Sequence, residues 1–536
     1  MTIMEKKRMS ADFNHYPSVQ KLLEHAKSPL DLSIEENFTP ERVRKFQSQS
    51  CGFKMLYATE KISEEALESL GSLSEEAHAI EKMEAMQDGE IVNSIEGYDS
   101  EKRSVLHTAV RDFFGSPRKS KKASEATLLA KEEWDKLELF LKNCDGFRDM
   151  IMIGIGGSDL GPKAVYLALK PWIIKNRRLH FISNIDPDDA VDVLSDIDLK
   201  SALVAVISKS GTTLETSVNE EFVRERFRKE GLNPKEHFIA VTGKGSPMDD
   251  EERYLKSFYI WDYIGGRFSV SSMVGAVPLA FSLGVENTMN FLKGANAMDK
   301  AALERDFRNN LPLLSALFSM WNQNFLACQT VGIIPYSQAL SRFTAHIQQC
   351  MMESNGKRVD KHGSHCDFLT GPIVWGESGT NAQHSFFQLF HQGMHIVPLE
   401  FIGFRESQYG EDISIGGTNS QEKLLANLFA QSISLAKGKK DRNPNKNFPG
   451  NRQSHILLGK KLDPFSMGAL LAYYEHRVAF QGFIWDINSF DQEGVQLGKV
   501  LANDIIEKFE KKRSKTLAQE ESDLCLEFIA QLENLL

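Results

Sequence analysis

Between residues 150 and 261, short β-branched apolar runs recur, and most end in a polar turn that leads into a helical stretch. The runs are 150–155 (MIMIGI), 179–183 (LHFIS), 202–207 (ALVAVI), 237–241 (HFIAV) and 258–261 (FYIW). Strands alternating with helices predict a parallel sheet with helices on both faces. Such sheets bind ligands in the loops that follow the strands and open the helices. A second unit of this kind is expected from 331–334, 371–375 and 395–402 as strands, with a helix over 383–391. Ser210-Gly211-Thr212 recurs as Ser378-Gly379-Thr380 after a strand, a weak pointer to internal duplication.

The flanks read as helical. Ser63 precedes Glu64 and Glu65 in the manner of an N-cap before an acidic first turn. Asp463-Pro464 opens a long helix through Leu470, Tyr474 and Val478, and 522–536 reads as a last amphipathic helix. The basic turn 116–122 marks a boundary. A chain of 536 residues has room for two to four domains. The expected division is a helical region over 1–120 packing on the larger domain, a first α/β domain over 121–289, a second over 290–510, and a C-terminal helix over 511–536.

Composition removes several classes of function. With 63 Lys and Arg against 73 Asp and Glu, the net charge is −10 and no basic run could track a nucleic acid. The most apolar stretch, 270–285, is too short to span a bilayer, so no membrane contact is expected. The first residues carry charges and no apolar core of a signal peptide. Cys51, Cys144, Cys328, Cys350, Cys366 and Cys525 are scattered without a C-x-x-C pair, against a disulfide framework or a thiolate metal site. A cytoplasmic enzyme is the expectation.

The loop Gly154-Ile155-Gly156-Gly157-Ser158-Asp159 follows a strand. It fails the dinucleotide pattern because Asp159 stands where glycine is needed, and it fails the phosphate-loop pattern because Gly161-Pro162 stands where Gly-Lys is needed. What remains is a backbone that a ligand can approach closely, before a helix whose free N–H groups favour an anion. Ser208-Lys209-Ser210-Gly211-Thr212-Thr213 is richer. Capping the next helix needs one hydroxyl, and four are present, so a phosphate monoester is favoured.

Other candidates are individually ambiguous. Arg267, after Gly265-Gly266, either clamps an anion or sits in a structural ion pair. Glu353 follows Cys350-Met351-Met352; set against apolar walls it could be a base, yet composition alone leaves it an exposed helix residue. His384 could do acid–base work or pack in a core. His391, seven residues on, does not make a His-x-x-x-His metal pair with it. Lys499 reads as a surface lysine.

Six segments change this. IGIGGSDLGPKAV, SKSGTTLET, GGRFS, QQCMMESNGKRV, GPIVWGESGTNAQHSFFQLFHQG and DPFSMGALLAYYEHRVAFQGFIWDINSFDQEGVQLGK resemble, in this order, signature segments of the phosphoglucose isomerase family. The likeness runs from about residue 150 to 501. It implies two SIS-type doubly wound parallel-sheet α/β domains with added N- and C-terminal helices. It also implies interconversion of glucose 6-phosphate and fructose 6-phosphate, in glycolysis and gluconeogenesis, with no metal or organic cofactor. By motif, Gly157, Ser158, Ser208, Lys209, Ser210, Gly211, Thr212 and Thr213 would bind the phosphate end, and Gln349 and Gln492 the sugar. Glu353 would be the base, Arg267 would stabilise a cis-enediolate, and His384 and Lys499 would assist ring opening. A homodimer is implied, with the histidine reaching the site of the partner subunit. The competing readings are another SIS-type isomerase or amino-transfer domain, and a sugar-phosphate sensor without turnover.

Overall fold

The computed structural model describes residues 13–514 and 523–533, so parts of the expected terminal regions 1–120 and 511–536 lie outside the described residues. The chain forms two compact units, Met1–Phe490 and Asp491–Leu536.

The strands of the first unit that concern the site are β1 (Gln47–Ser50), β2 (Phe53–Leu56), β3 (Asp149–Ile153), β4 (Arg178–Ile182), β5 (Ala202–Ser208), β6 (Phe238–Thr242), β7 (Lys256–Tyr259), β8 (Thr330–Pro335), β9 (Ile373–Trp375), β10 (Leu399–Glu406) and β11 (Ser454–Lys461). Its main helices are α1 (Glu64–Glu76), α2 (Lys121–Leu141), α3 (Leu160–Ala168), α4 (Leu214–Lys229), α5 (Val285–Ala301), α6 (Phe343–Gln348), α7 (Gly379–Gln383), α8 (Phe387–Gln392), α9 (Ser420–Lys437) and α10 (Pro464–Trp485).

The first sheet has the order β4-β3-β5-β6-β7 and is parallel throughout. Every residue of β3, β5 and β6 is buried, which explains their unbroken apolar sequences. The second sheet has the order β1-β2-β11-β10-β8-β9. Its strands β9, β8, β10 and β11 are parallel, while β2 runs antiparallel to β11 and β1 to β2. Both sheets therefore share one order: a first strand, its successor on one side, and the third and fourth on the other.

Strand periodicity distributes the core. Met150, Met152, Leu203 and Ala205 of the first sheet join Val331, Ile333, Ile402 and Leu457 of the second in one large core with α5 and α10. The alternate residues Ile151, Ile153, Val204 and Val206 face a separate cluster, as do Ile334, Phe401 and Ile456. Almost every residue of α10 is buried, and Asp463 and Ser466 close its capping box. A buried charge cluster pins it. Arg111 meets Asp299 of α5 at 2.6 Å and Glu475 of α10 at 2.7 Å, and His476 meets Asp299 at 2.7 Å.

Three features differ from the sequence reading. The N-terminal region is not only helical: β1 and β2 form a hairpin that extends the second sheet. The expected helix over 383–391 is two short helices, α7 and α8, with His384 between them. The Ser378-Gly379-Thr380 triplet follows β9, which corresponds to β4 and not to β5, so the repeat lies in strand order rather than in that triplet.

In the second unit, Gln492 precedes a 3-10 turn (Glu493–Val495), followed by α11 (Gln496–Arg513) and α12 (Leu524–Glu533). Lys508 bridges Asp504 and Asp523 at 2.7 and 2.6 Å. Among the described residues, no helix is long and apolar enough to cross a membrane.

Candidate active site

The strand order of the first sheet reverses between β3 and β5, and the two loops that leave this point form the site's floor. After β3, Gly156–Ser158 makes a 3-10 turn. Gly157 is pressed against the Gly265–Arg267 turn: a Cβ there would stand 2.2 Å from the carbonyl carbon and oxygen of Gly266. Only glycine fits. Gly157→Ala is expected to push the Arg267 turn away, costing about 1–3 kcal/mol as overpacking does, and to lower kcat/KM more than tenfold, roughly the factor that 1.4 kcal/mol represents. A thermal melt and steady-state rates check both. A Cβ on the neighbouring Gly156 would lie 3.3 Å from Gln349 Nε2, so the same loop also borders the segment after α6.

After β5, the Ser208 and Thr213 hydroxyls meet at 2.9 Å, the Gly211 N–H donates to Ser208 Oγ at 3.2 Å, and Thr212 Oγ1 donates to Ser210 Oγ at 2.9 Å. Thr213 is the N-cap residue of α4, yet its side chain caps nothing. The hydroxyls are thus not consumed by capping, and they cluster at a helix N-terminus with free N–H groups. This favours the anion site over simple helix capping. Lys209 lies in the loop with its ammonium donating to the carbonyls of Ile264 (3.0 Å) and Asp262 (3.4 Å), and burial lowers its pKa. It ties the hydroxyl loop to the chain leading into Arg267.

Arg267 is buried. Its Nε donates to Ser354 Oγ at 2.6 Å and its Nη2 to the Ser489 carbonyl at 2.7 Å. Its Nη1 lies 3.6 Å from Glu353 Oε2. Glu353 ends a single π-helical turn, Gln349–Glu353, that continues α6. Such turns recur at functional sites because they re-aim side chains. The Glu353 side chain is 20% exposed, and its buried Oε2 makes no hydrogen bond; the buried Gln349 Oε1 also lacks a partner. Behind them the Cys350 thiol donates to the Arg267 carbonyl at 3.4 Å, and burial pushes that thiol's pKa well up. The arrangement offers a carboxylate within reach of water and a fixed guanidinium beside it, with the hydroxyl-rich loop after β5 in the same unit. That combination can move a proton and stabilise the negative charge that results.

The structure gathers Gly157, Ser158, the 208–213 loop, Arg267, Gln349 and Glu353. His384 stands exposed on the side of the second sheet, while Gln492 and Lys499 belong to the second unit, where Lys499 is exposed on α11. Sequence reasoning missed Ser354 and Ser489, which hold Arg267. Ser354 adjoins Glu353 within a quoted segment, but nothing in its residue type marked it. Among the described residues, no group of three or more His, Cys, Asp and Glu side chains is arranged to hold a metal ion.

Two doubly wound sheets of one strand order, with a hydroxyl-rich loop at the reversal of the first, define a doubly wound parallel-sheet α/β protein. Residues 56–524 match the family model described as phosphoglucose isomerase. The chain belongs to the phosphoglucose isomerase family. It is 56% identical over 520 residues to the glucose-6-phosphate isomerase of Protochlamydia amoebophila, covering 96% of each chain. It is 51% identical over 508 residues to that of Chlamydia pneumoniae, covering 95% of this chain and 96% of the relative. The crystal structure of a glucose-6-phosphate isomerase from Chlamydia trachomatis superposes with a TM-score of 0.94 at 48% identity, covering 98% of this chain and 100% of that one.

Proposed function

We propose that the chain interconverts glucose 6-phosphate and fructose 6-phosphate, acting as a homodimer in the cytoplasm. The observation that carries the reading is the Glu353 carboxylate, without a hydrogen bond at Oε2 and 3.6 Å from the buried guanidinium of Arg267. The near full-length relatives named glucose-6-phosphate isomerase support it.

The chemistry follows from the substrate. The sugar binds as a ring, with its phosphate in the 208–213 loop and against Ser158, and with Gln349 and Gln492 on its hydroxyls. Ring opening moves a proton to the ring oxygen and removes one from the C1 hydroxyl; His384 and Lys499 serve these transfers. The aldehyde then acidifies the C2 hydrogen. Glu353 takes that proton, and the electron pair moves into a cis-enediolate whose oxygen charge Arg267 stabilises. A proton passes from the C2 oxygen to the C1 oxygen, and the same carboxyl returns the carbon-bound proton to C1, giving the ketose, so one base suffices. The remote phosphate supplies binding energy that holds C1 and C2 in place. His384 is solvent-exposed in the single chain, as a group offered to the partner subunit must be.

The decisive test is turnover of fructose 6-phosphate in EDTA, coupled to glucose-6-phosphate dehydrogenase. Rapid, EDTA-insensitive production of glucose 6-phosphate is expected. Binding without turnover would establish the sensor instead, and activity lost to EDTA and restored by a divalent ion would overturn the residue assignments. Lys499→Ala is expected to slow turnover of ring substrate more than that of open-chain substrate; equal slowing would remove Lys499 from ring opening. Sedimentation velocity reads the dimer.

A further inference from the structure

The second sheet also reverses its strand order, between β8 and β10. Open α/β sheets bind ligands outside the carboxyl ends of strands at such a point. A crevice of about 380 Å³ lies there, between the segment after β8 and the segment after β10. Its volume falls in the range of small-molecule sites. None of the residues assigned to catalysis or to the phosphate loop lines it.

The lining is rich in uncommitted polar groups. The side chains of Ser337, Gln338 and Ser341 make no hydrogen bond within the protein, and Lys170 has no carboxylate partner. Glu406, on the opposite wall, is 3.9 Å from Lys460. Leu167, Phe404 and Leu462 supply apolar surface. Hydroxyl and amide groups beside one unpaired ammonium, over apolar carbon, match a polyhydroxylated chain with one acidic end.

We propose that this crevice is a second ligand site, for a small anionic polyol such as a sugar phosphate or a sugar acid, and that its occupancy is coupled to the catalytic site. Both walls lead there. Leu167 lies in the last turn of α3 and Lys170 just beyond its C-terminal end, and the other end of α3 begins at the Gly154–Asp159 loop. Nine residues of helix span about 14 Å. Ser337 to Ser341 run into α6, which continues as the π-helical turn that carries Gln349 and Glu353. The two helices touch: a Cβ on Gly161 of α3 would stand 3.1 Å from the His346 ring of α6. A ligand that clamps the outer ends of α3 and α6 alters how their inner ends present Ser158 and Glu353. By linkage, substrate alters the crevice to the same degree.

Hydrogen–deuterium exchange on the intact protein tests this, with glucose 6-phosphate and D-gluconate as separate probes. At ten times its dissociation constant, a ligand slows exchange of the backbone it holds by about tenfold. Slowing at 336–341 and 407–410 is expected, lost in Lys170→Ala and restored in Lys170→Arg. Slowing by gluconate identifies a sugar acid as the natural class, and slowing by glucose 6-phosphate alone identifies a phosphate ester. The proposal falls if neither probe slows 336–341. It also falls if the slowing persists in Lys170→Ala, because it would then be transmitted from the catalytic site. Slowing at 208–213 by glucose 6-phosphate reports separately on the catalytic reading, so each idea stands or falls on its own peptides.

Discussion

Glu353→Gln is expected to bind sugar phosphate as the parent does and to turn it over about 10²–10⁴-fold more slowly, the usual share of general acid–base catalysis. The amide keeps the volume and polarity of the carboxylate, so the contact with Arg267 weakens without a cavity forming. What it removes is the lone-pair basicity that lifts the C2 proton. The phosphate loop is untouched, so KM should change little while kcat falls; that pattern marks an interaction made in the transition state and not in binding. The measurements are kcat, KM and a direct binding titration on the same preparation. Solvent-isotope exchange at C2 adds a sharper view: the variant should fail to wash label out of substrate it still binds. Turnover within a factor of two of the parent would strip Glu353 of its role and reduce the Arg267 contact to a structural ion pair.

The largest stability effect should come from a residue remote from substrate. Arg111→Leu is expected to cost about 3–5 kcal/mol, because it leaves buried carboxylates without their cation. Arg111 holds two of them, Asp299 at 2.6 Å and Glu475 at 2.7 Å, and all three side chains are buried. Burial pushes Asp299 upward, but Arg111 and His476 outweigh it and hold the carboxyl at about 2. Glu475 moves the other way, because burial outweighs the same arginine. The sign for Asp299 follows. A depressed carboxyl adds stability above its unfolded pKa, near 4, and loses it as pH falls through the folded value of about 2. Without Arg111 that contribution disappears and the midpoint of acid unfolding moves up. Denaturant melts from pH 2 to 7 read both effects. A variant whose acid midpoint and melting curve matched the parent would show the cluster to be energetically idle.

The first sheet was legible because its central strands are buried on both faces and therefore spell continuous apolar runs. The second was less so. β11 reads Ser-His-Ile-Leu-Leu-Gly-Lys-Lys, and its buried polar residues hide it. Those residues are satisfied from far away: Thr59 Oγ1 donates to the Ser454 carbonyl at 2.7 Å, and His455 pairs with Glu60 at 2.8 Å. No local pattern reveals partners nearly 400 positions distant. β1, Gln-Ser-Gln-Ser, lacks any apolar alternation and exists because β2 is there to pair with it. At the site, loops with unusual density of one chemistry stood out, as Ser208 to Thr213 did. Single residues did not. Glu353 and Arg267 are ordinary types whose meaning comes from 3.6 Å of separation; the sequence offers each as an ambiguous candidate, and only the likeness to a family favours a role for either. The Lys209 ammonium donates to the carbonyl of Ile264, a partner 55 positions away that no local pattern reveals.

The hairpin β1–β2 has a consequence for how the polypeptide is made. Met55 pairs with Leu457, so the edge of the second sheet waits for a strand synthesised some 400 residues later. At about 5–20 residues per second on a ribosome, that interval is roughly 20–80 s. Throughout it, an apolar strand with unpaired backbone groups stands outside its final setting, the kind of edge that recruits wrong neighbours. The first sheet, completed within residues 149–259, can close while the remainder is still being translated. Birth order and assembly order thus diverge in this chain: the segment that emerges among the first is among the last to find its place.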